Sequence, residues 1–196
     1  MAAVASPYGL RPINLIGGRP NPGGAMREIA YTVDNATAIY TGDIILIGAS
    51  SAGQPTAASA TVTTSTGGVV GVCVGVSYVD PVLKYQVHTQ FLPANAVTAG
   101  YKNIVIKVND DPQQLYQIQA AGSVAATTRG YQVAVENQGG SVTTGLSTLR
   151  AGTPARTATL ALRIVDFIDA GSNFTDLIVK FNTGVHMYDA TTVTAA

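Results

Sequence analysis

The chain has 196 residues, of which only 11% are Asp, Glu, Lys or Arg, and the eleven basic and eleven acidic residues cancel to a formal net charge of +0. Soluble domains ordinarily carry about 25% charged residues and keep a net charge to resist self-association, so this composition suits a static body covered by other protein. It excludes a clustered basic face for nucleic acid: Arg11, Arg19 and Arg27 lie in or near the N-terminus, and Lys84, Lys102, Lys107, Arg129, Arg150, Arg156, Arg163 and Lys180 come singly along the chain, whereas such a face gathers cations to neutralise several phosphates at once.

Residues 1–25 alternate prolines and glycines (Pro7, Gly9, Pro12, Gly17, Gly18, Pro20, Pro22, Gly23, Gly24) around a short apolar cluster of Ile13, Leu15 and Ile16. Proline removes a donor and glycine leaves the left-handed region open, so this stretch is expected to be an extended arm without regular structure. Its apolar side chains need a surface in the same chain or a neighbour's. From Arg27 the apolar period becomes two, through Ile29, Tyr31 and Val33. Thr41-Gly42-Asp43 is a turn that opens Ile44 to Ile47, a run apolar on both faces and hence a buried strand. Residues 49–68 read as a Ser/Thr/Ala/Gly loop with one weak strand near Thr61 to Thr63.

Val69 to Tyr78 resumes as a strand whose Gly71 and Gly75 mark a bulge or a close backbone approach. Leu83, Tyr85, Val87, Thr89 and Phe91 alternate with Lys84, Gln86, His88 and Gln90 and predict a half-buried antiparallel strand. Ile104 to Val108 and Leu115 to Gln119 are the next two, joined by the turn Asn109-Asp110-Asp111-Pro112. Ser123 to Arg129 is the one credible helical turn, capped by Ser123 and closed by Gly130. Tyr131 to Glu136, Thr157 to Ile168, Asp176 to Asn182 and Val185 to Tyr188 complete the strands. The pattern predicts an all-β protein, an antiparallel jelly roll or β-barrel, with an extended arm at 1–25 and a single domain at 26–196.

No catalytic pattern emerges. Nucleophilic catalysis needs a base beside the nucleophile, and only His88 and His186 are available, both expected at the surface or an interface. Cys73, the single cysteine, lies in an apolar run with no basic neighbour and reads as a buried structural thiol, which rules out an internal disulfide and a cysteine-rich zinc site. Asp110-Asp111-Pro112 is turn chemistry rather than a cation site, and Asp166 and Asp169 read as solvated edge charges. The first ten residues lack the basic and apolar regions of a secretory signal, and the longest apolar stretch, Val69 to Val79, is short of the roughly 20 residues a bilayer span needs. The expectation is a non-enzymatic protein without cofactor, metal, nucleic-acid partner or membrane, made in the cytoplasm.

Ser6-Pro7-Tyr8-Gly9-Leu10-Arg11-Pro12-Ile13, then Tyr40-Thr41-Gly42-Asp43, then Gly71-Val72-Cys73-Val74-Gly75-Val76-Ser77-Tyr78, then Asp110-Asp111-Pro112 with Tyr116-Gln117-Ile118-Gln119, resemble small virion proteins of tailed bacteriophages, the head decoration or cement proteins. The resemblance spans most of the chain and rests on short structural motifs. It implies a homotrimer on the outer surface of the phage head that braces neighbouring major capsid protein subunits. Tyr8, Leu10, Arg11, Ile13, Leu15 and Arg19 would be the capsid-contacting residues of the arm. Attachment through shape and apolar contact is expected to survive salt that screens charge pairs. The alternative is a receptor- or glycan-binding virion protein at a vertex or tail.

Overall fold

The structure, a computed structural model, describes residues 4–16, 26–32, 34, 36–47, 55–57, 68–157 and 159–189. Arg19, Val33 and the weak strand expected near Thr61 to Thr63 lie outside the described residues. In chain order the strands are β1 (Arg11–Leu15), β2 (Met26–Ala30), β3 (Ile39–Tyr40), β4 (Ile44–Ile47), β5 (Pro55–Ala57), β6 (Val69–Val79), β7 (Gln86–Thr89), β8 (Phe91–Leu92), β9 (Lys102–Asn109), β10 (Gln114–Gln119), β11 (Gln132–Val133), β12 (Val135–Glu136), β13 (Arg150–Ala151), β14 (Leu162–Phe167) and β15 (Asp176–Phe181). One 3-10 turn, Ala126–Thr128, is the only helical element among the described residues.

Two antiparallel sheets organise these elements. One has the order β1-β10-β15-β14-β11; the other has the order β2-β9-β6-β4-β5, with β7 also on β6. The protein is therefore all-β, of the barrel or jelly-roll-like class, as the alternating apolar pattern predicts. β6 is the longest strand, and it is buried on both faces. Val69 and Val72, with Ile44 and Leu46 of β4, join a core shared with Tyr116, Ile118, Leu162, Ile164, Leu177 and Val179 of the five-stranded sheet. Val70, Cys73, Val76 and Tyr78, with Ile45, turn the other way into a second core with Tyr31, Ile39, Leu92, Ile104, Ile106 and Val108. Each fully buried Val or Ile contributes roughly 1.5–3 kcal/mol, so the two-faced run Ile44–Ile47 and its partner β6 tie both cores together.

Five expectations change in detail. The arm is not without regular structure: Arg11 to Leu15 pair with β10, Arg11 opposite Gln117 and Pro12 opposite Tyr116. Proline is tolerated there because β1 is an edge strand. Pro55, expected in a loop, likewise starts the edge strand β5. Leu83 and Tyr85 do not face inward, because the chain turns before β7 begins at Gln86. The Asp80 carboxylate accepts from the Val82 and Leu83 amides (2.7 and 2.9 Å), and Lys84 takes φ 62°. The segment Tyr131 to Glu136 splits between β11 in the large sheet and β12, which pairs β13. The helical turn covers only Ala126–Thr128; Ala125 rather than Ser123 occupies its N-cap position, without a side-chain capping bond, and Arg129 rather than Gly130 its C-cap position.

The glycines of β6 mark a bulge and a close approach, as expected. The pairing of β6 with β9 shifts register between Cys73 and Gly75. A Cβ at Gly71 would lie 1.9 Å from the Asn109 carbonyl oxygen, a distance no side chain tolerates. Gly71→Ala is therefore expected to cost about 3 kcal/mol in denaturant unfolding, whereas Gly122→Ala, where a Cβ meets nothing within 4 Å, changes stability by less than about 0.5 kcal/mol.

Candidate docking surface

The N-terminal segment lies on its own body. Leu10 is 2% exposed and belongs to the main core, so it is not available to a partner, whereas Ile13 and Leu15 of the apolar cluster are half-buried and Ile16 is exposed. Gly9 donates to the Leu149 carbonyl (3.2 Å) and Leu10 to that of Gly42 (2.9 Å). Gly9 has φ +75°, and a Cβ there would meet the Gly42 oxygen and Ser147 Cβ at 2.7 Å, so a glycine is required where the segment crosses the β3–β4 turn. Upstream, Gln119 accepts from the Ser6 amide (2.7 Å) and donates to the Val4 carbonyl (3.3 Å).

Tyr8 donates its hydroxyl to Asp176 Oδ1 at 2.8 Å, and Gln117 Nε2 donates to Oδ2 at 3.3 Å. Burial, then the Asp176 carboxylate, pushes the phenol well above its ordinary range. The Arg11 guanidinium stacks 4.7 Å over the Tyr8 ring. Arg11 is exposed, and Ile13 and Leu15 are half-buried along the sheet edge. Of the residues expected to contact a capsid, then, Tyr8, Arg11, Ile13 and Leu15 come together at one edge, Leu10 does not, and Arg19 lies outside the described residues.

Below this edge sits a buried carboxylate. Asp43, 2% exposed, accepts from the Tyr40 amide (2.8 Å) and from Ser147 Oγ (2.6 Å), which joins the β3–β4 turn to the loop before β13. Burial pushes its carboxyl up to about 6, against the pull of both hydrogen bonds. Cys73 is buried beside it, and burial raises its thiol to about 12, which leaves it protonated and unreactive at neutral pH.

His88 is exposed on β7. His186, expected at the surface or an interface, is fully buried within the chain. Its Nδ1 accepts from the Tyr188 amide at 3.3 Å. Burial holds the ring below the ordinary imidazole range. The expected turn at Asp110-Asp111-Pro112 forms, with Asp111 accepting from the Gln113 amide at 2.7 Å. Asp166 is exposed, as expected, and Asp169 is half-buried, and both carboxylates are engaged. Asp166 pairs with Arg129 at 2.6 Å, and Asp169 accepts from the Asp176 amide and Ser172 Oγ, pinning the β14–β15 turn. Among the described residues no group of three or more His, Cys, Asp or Glu side chains could hold a metal ion, and no helix is long and apolar enough to cross a membrane.

What the alternation concealed is the tip of the β6–β7 hairpin. Val82, Leu83 and Tyr85 are 81%, 51% and 58% exposed, three large apolar side chains within four positions. Their backbone is held by Asp80: besides its side-chain contacts, its carbonyl accepts from the Lys84 amide (3.0 Å) and its amide donates to the Tyr85 carbonyl (3.2 Å). The dipeptide Asp80-Pro81 is the turn signal that separates these residues from the true strand. Comparisons with family models, curated proteins and solved structures found no match to this chain.

The Asp43 carboxyl gives the assembly of this edge a pH signature. Its folded pKa lies above the unfolded value of 3.8, so its contribution to stability is greatest below the unfolded value and is lost as pH rises through about 6. On acidification from pH 7 to 5, wild type should gain on the order of 1–2 kcal/mol of unfolding free energy relative to Asp43→Asn. Parallel stability curves for the two proteins would contradict this placement of the carboxyl.

Proposed function

We propose that this chain is a non-enzymatic virion structural protein that decorates and stabilises a tailed-bacteriophage capsid by bridging major capsid protein subunits, as a homotrimer on the outside of the head. The observation that carries the reading is the Asp80-clamped hairpin tip, which presents Val82, Leu83 and Tyr85 to solvent on a fixed backbone. Exposed apolar groups on a rigid turn dock with little loss of conformational entropy, because the backbone is already ordered. The scarcity of charge supports the same reading, since a neutral surface does not repel a large protein partner, and so do the phage-like motifs along the chain.

The edge formed by Tyr8, Arg11, Ile13 and Leu15 supplies a second, more polar contact in this proposal. It acts as part of the rigid body, with Tyr8 anchored on Asp176 and Leu10 in the core. Three subunits joined by symmetry multiply a modest contact, because one bound copy raises the effective concentration of the next.

Heads stripped of the protein and reloaded with Val82→Asp/Leu83→Asp test the reading. Losing two apolar side chains from a buried contact is worth about 3 kcal/mol or more, so occupancy should fall by roughly a hundredfold at subsaturating protein, while the circular dichroism spectrum stays that of wild type. Normal occupancy by the double variant would contradict the role of the tip, and wild type that ignores intact heads would contradict the function.

A further inference from the structure

The two central strands of the five-stranded sheet place like charges face to face. Arg163 of β14 stands directly opposite Lys180 of β15. Leu162 and Ile164 on one strand, and Val179 and Phe181 on the other, are buried in the main core, so the two cationic side chains leave by the outer face. Like charges directly opposed on neighbouring strands are unfavourable, and a carboxylate is the ordinary remedy.

Among the described residues neither cation has one. The ion pairs among the described residues are Arg27 with Asp110, Lys107 with Glu28, Arg129 with Asp166 and Arg150 with Glu136. Arg163 and Lys180 are held instead by neutral amide oxygens. Arg163 donates to Asn182 Oδ1 at 3.3 Å. It also donates to the Gln132 amide oxygen at 3.0 Å, in the orientation that lets the Gln132 nitrogen donate to the Thr157 carbonyl. Lys180 Nζ donates to Gln113 Oε1 at 3.1 Å. Asn182 is anchored in turn, its Nδ2 donating to the Leu160 carbonyl at 3.3 Å. The carboxylates of the same two strands are engaged elsewhere: Asp166 by Arg129 and the Phe167 amide, Asp176 by Tyr8 and Gln117.

Amides that orient two cations without neutralising them leave a built place for an anion between them. We infer that Arg163 and Lys180 form a seat for a carboxylate, an Asp or Glu side chain presented by an acidic segment of a partner protein. A guanidinium and an ammonium on adjacent strands can each donate to one oxygen of a single carboxylate, and charge-assisted bonds of this kind are the strong ones. A nucleic acid fits poorly, because only these two cations are free of acidic partners on strands that also carry Asp166 and Asp176, whereas phosphate binding draws on many cations together. The seat lies apart from the hairpin tip and does not depend on the capsid reading.

Fluorescence anisotropy of a labelled oligoglutamate peptide at low ionic strength tests it on the full-length protein, with oligolysine and single-stranded DNA in parallel. Oligoglutamate should bind, Arg163→Gln/Lys180→Gln should weaken that binding about tenfold or more, and Arg150→Gln, at a cation already paired with Glu136, should leave it unchanged. The unfolding midpoint of the double variant should equal or exceed that of wild type, since a repulsive pair is relieved. Failure of oligoglutamate to bind, undiminished binding by the double variant, or tighter binding of DNA through the same two residues would overturn the seat. A markedly lower unfolding midpoint would overturn it too, by making the two cations structural.

Discussion

The double burial of β6 is the constraint on which the rest of the structure depends. A strand of eleven residues serves two cores at once, so its side chains must be apolar on both faces and its backbone must come close to its neighbours. That closeness appears at Gly71, pressed against the Asn109 carbonyl, and in the register shift between Cys73 and Gly75. Because β6 is shared, neither core can loosen without disturbing the other. A body built this way is stiff, as the proposed docking role requires.

The termini of the described chain reinforce that centre. Residues 4–16 cross the β3–β4 turn and then close one edge of the five-stranded sheet. At the other end Val185 and Met187 bracket Val69, the Val69 amide donating to the Val185 carbonyl and the Met187 amide to that of Val69. His186 is buried between them, and burial favours its neutral ring.

Much of the fold was legible in the residues themselves. The period of two at Ile104 to Val108 and Leu115 to Gln119, the two-faced run at Ile44 and the glycines of β6 correspond to β9, β10, β4 and the bulged β6. Two kinds of feature were not. Alternation continued through Leu83 and Tyr85 into an exposed turn, because periodicity reports which residues share a side and not whether any core lies there. The cations Arg163 and Lys180 stand far apart in the chain and read as dispersed; only the register of β14 on β15 brings them together. The segment around Tyr8 and Leu10 shows the same limit, since its apolar content called for a surface and the fold decides whose surface it is.

A stiff double-cored body, apolar groups fixed at a hairpin tip and a pair of cations held by neutral amides occur together in this chain. All three suit the proposed role of a part shaped before it docks. The most direct test is cryo-EM of intact phage heads with the copies of this protein counted and located. Many copies distributed over the shell in threefold groups are expected, each with the Val82, Leu83 and Tyr85 tip turned into the capsid surface. A few copies confined to one vertex or to the tail, or a head surface without the protein, would contradict the proposed role.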